Sequence, residues 1–251
     1  MRVLIINPNT TASITDRICE IASRLHPKIV FVPATGRFGA EYISSRAASA
    51  IAGHATLDAY AAKAEGCHAV LLACFGDPGL FALREIASIP VIGLAEASCQ
   101  AAAAGGRRFS IVTGGERWGA MLHEFVSSIG LSAQCASIKC VAPTGGEIAS
   151  NPDKALSILS AACNRCAEED HADIVILGGA GLAGLAERIQ PAIKVPVLCS
   201  IEAGIQRVVE ALEQPFEKPE QGDLAFPSPV TTHAISEELS RLLFNPVRHY
   251  Q

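Results

Sequence analysis

The chain has 251 residues, 49% of them hydrophobic and only 18% charged, with a formal net charge of −5. That length supports a full core in one large domain or two intimate lobes, and the low charge density favours much buried surface, including an interface between copies of the chain. The acidic balance argues against the basic stripe that holds nucleic acid or anionic lipid.

The first element is the apolar run of "MRVLIINPNT", too short for a signal-peptide core, and no later run reaches a transmembrane length. Nine cysteines without a secretion signal point to free thiols in a reducing cytoplasm. Short apolar runs then alternate with helical patterns, the signature of parallel α/β architecture. Strands are expected at Val3–Ile6, Ile29–Val32, Val70–Ala73, Val91–Gly93, Ser110–Thr113, Ile174–Leu177 and Val197–Cys199. They are apolar on both faces, as strands covered by helices on both sides should be. Helical spacing fits Ala12–Leu25, Arg46–Lys63, Arg117–Ile129, Asp153–Glu169 and Ile205–Leu212, and "CQAAAAGG" reads as a helix ending at Gly105 and Gly106. Asn9, Thr10 and Thr11 stand where the first helix needs a cap.

A shift of 105 residues lays "HAVLLACFGDPGL" (68–80) over "DIVILGGAGLAGL" (173–185). One inserted residue later, "IPVIGLAEA" (89–97) lies over "VPVLCSIEA" (195–203), and "RVLIINPNT" (2–10) lies over "RFSIVTGGE" (108–116). Strand, turn and proline recur in the same order, which implies two similar α/β lobes, each a mostly parallel sheet covered by helices. One lobe would comprise residues 1–97 with 206–251, and the other residues 98–205. The tail is expected to return to the first lobe as a helix, after a loop over Gln214–Pro229.

Both repeats end a strand in a glycine-rich turn. "GAGLAG" (179–184), with Glu202 further on, has the outline of a dinucleotide fingerprint, but such short patterns are common and this one lies mid-chain. The competing reading is a pair of turns whose backbone N–H groups hold a carboxylate or imide oxygen. Cys74 heads the first turn. A thiol at a helix N-terminus is expected to have a lowered pKa, and a thiolate beside an anion hole suits removal of a proton next to a carbonyl.

"INPNT", "ACFGDPG", "PVIGLAEA" and "ERW" (116–118) together resemble the aspartate/glutamate/hydantoin racemase superfamily, most closely its hydantoin and allantoin racemase branch. The resemblance implies two pseudo-symmetric lobes with the active site in the cleft between them, and two cysteines that work without cofactor or metal on opposite faces of a small substrate's α-carbon. It makes Cys74 one acid/base, places Asn7 and Asn9 in the cleft, and adds Phe75, Gly76, Thr113 and Gly114 as substrate contacts. The second turn brings Gly179 and Ala180. This chain departs from the pattern there, with "GGAG" where the branch carries a "GCAG"-like turn, and the internal repeat also pairs Cys74 with Gly179. Four arrangements remain open. Cys199, the nearest spare thiol in topological terms, could serve as a substitute, or water or one base swapping faces could complete a slow racemisation. One thiol could protonate an enediolate after loss of CO₂, as in the related arylmalonate decarboxylases. One thiolate could instead add to a double bond, as in the related maleate isomerases. The last class considered is a small-anion binding protein without catalysis.

The other candidates read mainly as structure. Cys163 and Cys166 form C-x-x-C inside a helix with no second ligand pair, so no zinc site is expected. Glu96 and Glu202 are matched residues suited to helix N-termini. His54 lies in a helix without an evident partner. The segment "GRFGAEYISSRAA" (36–48), carrying Phe38, could close over the cleft or pack at an interface between copies.

Overall fold

The computed structural model describes residues 1–141 and 152–245. The all-apolar runs are the inner strands: β1 (Arg2–Asn7), β3 (Ala69–Leu72), β5 (Phe109–Gly114) and β7 (Ile174–Gly178), buried almost throughout. β2 (Val30–Thr35), β4 (Val91–Gly93), β6 (Cys135–Val141) and β8 (Val197–Cys199) flank them. They form two parallel four-stranded sheets with the same order, β2-β1-β3-β4 and β6-β5-β7-β8. This doubled order is the structural form of the sequence repeat, and it meets the expectation of two pseudo-symmetric lobes. Even the turns correspond. The Asp77 N–H donates to the Cys74 carbonyl at 3.0 Å, and the Leu182 N–H donates to the Gly179 carbonyl at 3.0 Å.

Two strands differ from the sequence expectation. β2 continues through Pro33, which an edge strand tolerates because its outer N–H row has no partner to lose. β6 was not expected at all. It is also an edge strand, only partly buried, and its polar residues hide the apolar pattern. Lys139 reaches Asp170 at 2.7 Å, and the Ser137 hydroxyl donates to the same carboxylate at 2.7 Å. The 105-residue shift of β2 would have found it.

Helices α1 (Ala12–Leu25), α2 (Arg46–Lys63) and α3 (Leu80–Ile86) belong to the first sheet; α5 (Trp118–Ser128), α6 (Pro152–Glu168) and α7 (Leu185–Ile189) belong to the second. Ser45 caps α2 by accepting from the Ala48 N–H at 3.2 Å. Thr11 stands at the N-cap of α1, but its hydroxyl donates instead to the Glu41 carbonyl, tying down the segment that follows β2. Two helices cross between lobes. α4 (Leu94–Ala103) leaves the first sheet and packs on β5, β7 and β8, while α8 (Ser200–Leu212) leaves the second and packs on β3 and β4. They meet closely at Gly204, where a Cβ would stand 2.5 Å from Leu94 Cδ1. One apolar core therefore runs through both lobes, joining Ile5 and Leu71 to Ile111 and Ile176. α8 starts five residues earlier than its expected Ile205, because its polar first turn is buried against α4.

After α8 the chain crosses to the first lobe without regular structure, and α9 (Glu237–Phe244) packs on α2. Arg37 clamps Asp58 of α2 with two hydrogen bonds of 2.8 and 2.7 Å, and Ser236 bonds the same carboxylate. No helix of the described residues is long and apolar enough to cross a membrane.

Candidate active site

In a sheet of order 2-1-3-4, the chain leaves β1 and β3 towards opposite edges, so a crevice opens beyond their carboxyl ends. Both lobes place this crevice on the same cavity, of about 90 Å³. Asn9 enters it after β1, Ala73, Cys74 and Phe75 after β3, Thr113 and Gly114 at the end of β5, and Gly178 to Leu182 after β7. Ile14, Tyr42, Ile43 and Trp118 complete the wall.

Cys74, Phe75, Thr113, Gly114, Gly179, Ala180 and Asn9 thus share one cavity. Asn7 does not line it. It is fully buried behind Asn9, donating to Asn9 Oδ1 at 2.8 Å, to Thr15 Oγ1 at 3.1 Å and to the Thr11 carbonyl at 3.2 Å. Since Asn9 Oδ1 also accepts from the Thr11 N–H at 2.9 Å, its oxygen is occupied, and the amide Nδ2 is the group left to donate into the cavity. Phe38 is also outside the lining, with its ring 4.8 Å from that of His54. The neighbouring Tyr42 and Ile43 take the place expected for it.

Gly76 stands outside the lining too, and its role is to admit Trp118. A Cβ on Gly76 would lie 2.5 Å from the Trp118 ring, and its φ of 116° is a conformation that side chains rarely adopt. The indole in turn donates to the Ile43 carbonyl at 3.1 Å. Across the cleft, the Phe75 ring occupies the space a Cβ on Gly178 would need. Each lobe therefore sets an aromatic ring on a glycine of the other. Gly76→Ala is expected to lower stability by about 2–4 kcal/mol, combining backbone strain with overpacking, as read by denaturant unfolding.

The expected thiol electrostatics are overturned. α3 begins only at Leu80, so Cys74 is not at its N-terminus. Burial in the protein, together with the negative charge of Asp77, pushes the thiol up to about 12. At neutral pH the resting group is a protonated thiol. Cys199 does not line this cavity. Its sulfur sits at the start of α8, where the N–H groups of Glu202, Gly184 and Ile201 point to it, and burial raises its pKa. Gly179 adopts φ 127°, its N–H donates to Ser200 Oγ at 3.2 Å, and the nearest atom to a Cβ there would be Thr113 Oγ1 at 4.0 Å. The N–H groups of Ala180 and Gly181 have no hydrogen-bond partner among the described residues. Thr113 Oγ1 donates to the Gly178 carbonyl at 2.7 Å, which leaves its lone pairs as acceptors.

The "GAGLAG" stretch forms a short 3-10 turn followed by a five-residue helix, and Glu202 lies in the first turn of α8. Glu96, its counterpart, is held by Arg84 Nη1 at 2.9 Å. Cys163 and Cys166 are fully buried on α6, and no group of metal-ligating side chains forms among the described residues. Sequence reasoning missed Ile14, Ile43 and Leu182, since an apolar cavity wall has no chemical signature. Trp118, by contrast, stands in the "ERW" motif.

Residues 3–208 match the family model described as Asp/Glu/Hydantoin racemase. The hydantoin racemase of Paenarthrobacter aurescens is 34% identical over 224 residues, covering 84% of this chain and 91% of that one. The allantoin racemase of Klebsiella pneumoniae has 31% identity and a TM-score of 0.85, covering 96% of this chain and 98% of its own. That of Pseudomonas fluorescens has 29% identity and a TM-score of 0.88, over 93% of this chain and 100% of its own. With its doubled sheets, its cleft and a match over most of its length, the chain belongs to the Asp/Glu/hydantoin racemase family.

Proposed function

We propose that the protein is a racemase-type isomerase, working without a cofactor by α-proton transfer on a small neutral hydantoin or ureide. The observation that carries this reading is the character of the cavity: small, mostly apolar and, among the described residues, lined by a single cysteine and by no lysine, arginine, aspartate or glutamate. An α-amino acid or other carboxylate would enter without a counter-ion, which disfavours it. A cyclic imide needs only hydrogen bonds. Asn9 Nδ2 and the free N–H groups of Ala180 and Gly181 are donors for its carbonyl oxygens, and Thr113 Oγ1 is an acceptor for a ring N–H.

In this mechanism Cys74 first gives its proton to solvent; the thiolate then takes the α-proton, the electron pair moves into the carbonyl, and the N–H donors hold the resulting oxyanion. The proton then returns from the Cys74 thiol. Gly179 supplies no acid to the other face, so return to the same face is the favoured outcome and inversion is slow. The test is proton NMR in D₂O on enantiopure hydantoins and allantoin beside aspartate and glutamate. Loss of the α-proton signal is expected for the neutral compounds at rates about 10²-fold or more above those for the amino acids. Equal rates for both groups would overturn the neutral-substrate assignment.

A lyase is the second reading: the protonated Cys74 thiol favours it, while the lack of a cation in the described lining weighs against its dicarboxylate substrate. One donor on one face suffices to protonate the enediolate left when a disubstituted malonate loses CO₂. Release of CO₂ from such a malonate, with no exchange on any hydantoin, would select it.

A further inference from the structure

Asp77 is a buried charge that the proposed reaction does not use. It is 4% exposed and lies three residues beyond Cys74 in the same turn, with φ 46°. Its carboxylate accepts from the Ala95 N–H at 3.0 Å and the Glu96 N–H at 2.8 Å, in the first turn of α4. Gly93 makes this possible, because a Cβ there would run into the carboxylate. Arg84 is the cation coupled to it, but its guanidinium is bonded to Glu96 and to the Val91 carbonyl. The other groups that feel its charge are the Glu96 carboxylate, which pushes the Asp77 pKa up, and the thiols of Cys74 and, on α4, Cys99.

The second lobe builds the same turn without a carboxylate. The repeat places Leu182 where Asp77 stands and Cys199 where Gly93 stands. There the start of α8 is closed by the Cys199 sulfur, which takes three backbone N–H groups. An uncharged sulfur is therefore enough for this architecture. A buried carboxylate is the more costly solution, because its charge must leave water. The two turns differ also in the residue that heads them, Cys74 in one and Gly179 in the other.

Resting on the reading of Cys74 as the proton-transfer group, we propose that Asp77 is its positioning residue: it locks the Cys74 turn onto α4, and its negative charge keeps the proton on the sulfur between turnovers. The resting thiol is then protected from electrophiles and oxidants that attack thiolates, and it must give up its proton before it can act as a base. Burial raises the Asp77 pKa to about 7, so the restraint is complete in mildly alkaline solution and weakens as pH falls through that value.

The test is the ultraviolet thiolate absorbance of Cys74, taken as the difference between each protein and its Cys74→Ser counterpart. It is followed from about pH 8 to about pH 11.5 in the wild type and in Asp77→Asn. Loss of the charge is expected to move Cys74 ionisation at least about one unit lower, giving about tenfold more thiolate at a given pH. Coincident titrations would overturn the proposal. The Asn amide turns an N–H₂ group towards a backbone donor, so Asp77→Ser, which can still accept, is the second variant. In the wild type alone, a Cys74 thiolate fully formed below about pH 9, where an ordinary cysteine titrates, would overturn it as well. None of these signals needs turnover. A shift in titration without any α-proton exchange would therefore sink the racemase reading and leave only the charge coupling of Asp77 to the thiol standing.

Discussion

Cys74→Ser is expected to lower enzyme-dependent deuterium incorporation at the substrate's α-carbon by about 10²- to 10⁴-fold, the usual contribution of a positioned acid/base. Serine keeps the size and the hydrogen-bonding capacity of cysteine, but its hydroxyl is far too weak an acid to form the anion at neutral pH. The cavity therefore stays intact, and substrate protection against heat should survive the substitution. In the wild type the exchange rate should also climb through the neutral range. A thiol with a pKa of about 12 is almost wholly protonated at pH 7, and its thiolate population grows about tenfold per pH unit. Exchange that persists in Cys74→Ser at wild-type rates would remove the thiol from the reaction.

Gly179→Cys is expected to convert exchange at one face into inversion of configuration, followed by polarimetry or chiral chromatography alongside the NMR signal. There is space for the new side chain, since its Cβ would meet nothing nearer than Thr113 Oγ1 at 4.0 Å. The backbone is less permissive. At φ 127° a residue other than glycine carries about 1–3 kcal/mol of strain, so the gain in inversion should come with a lower melting temperature. A variant that melts lower and still exchanges without inverting would show that a thiol at this position does not reach the second face.

Much of this fold was legible because buried parallel strands write continuous apolar runs. Val3–Ile6, Val70–Ala73 and Ile174–Leu177 were expected to within two residues at each end, and the repeat foretold two lobes with one strand order. Edge strands write a weaker pattern. β6 was missed, and β2 was cut short at the residue before Pro33, because one side of an edge strand faces solvent and tolerates polar residues and proline. The turn residues of the cavity were legible for another reason. Cys74, Phe75, Gly178 and Gly179 are unusual residue types at the ends of strands, where parallel sheets place their ligands.

Sequence by itself determined the class of architecture, the doubled topology, the family and the candidate thiol at the head of its turn. These follow from local pattern, and pattern is what a chain displays in order. Tertiary structure alone decided the electrostatics and the partners. Helix α3 starting late, and Asp77 buried beside Cys74, turned an expected low thiol pKa into a high one. Asn7 moved from the cavity to its support, Cys199 moved from the cavity to the start of α8, and Trp118 came to rest on Gly76. Each of these depends on which distant groups share a small desolvated volume. The charge and hydrogen-bonding of a buried group are set by those neighbours, and adjacency along the chain does not record them.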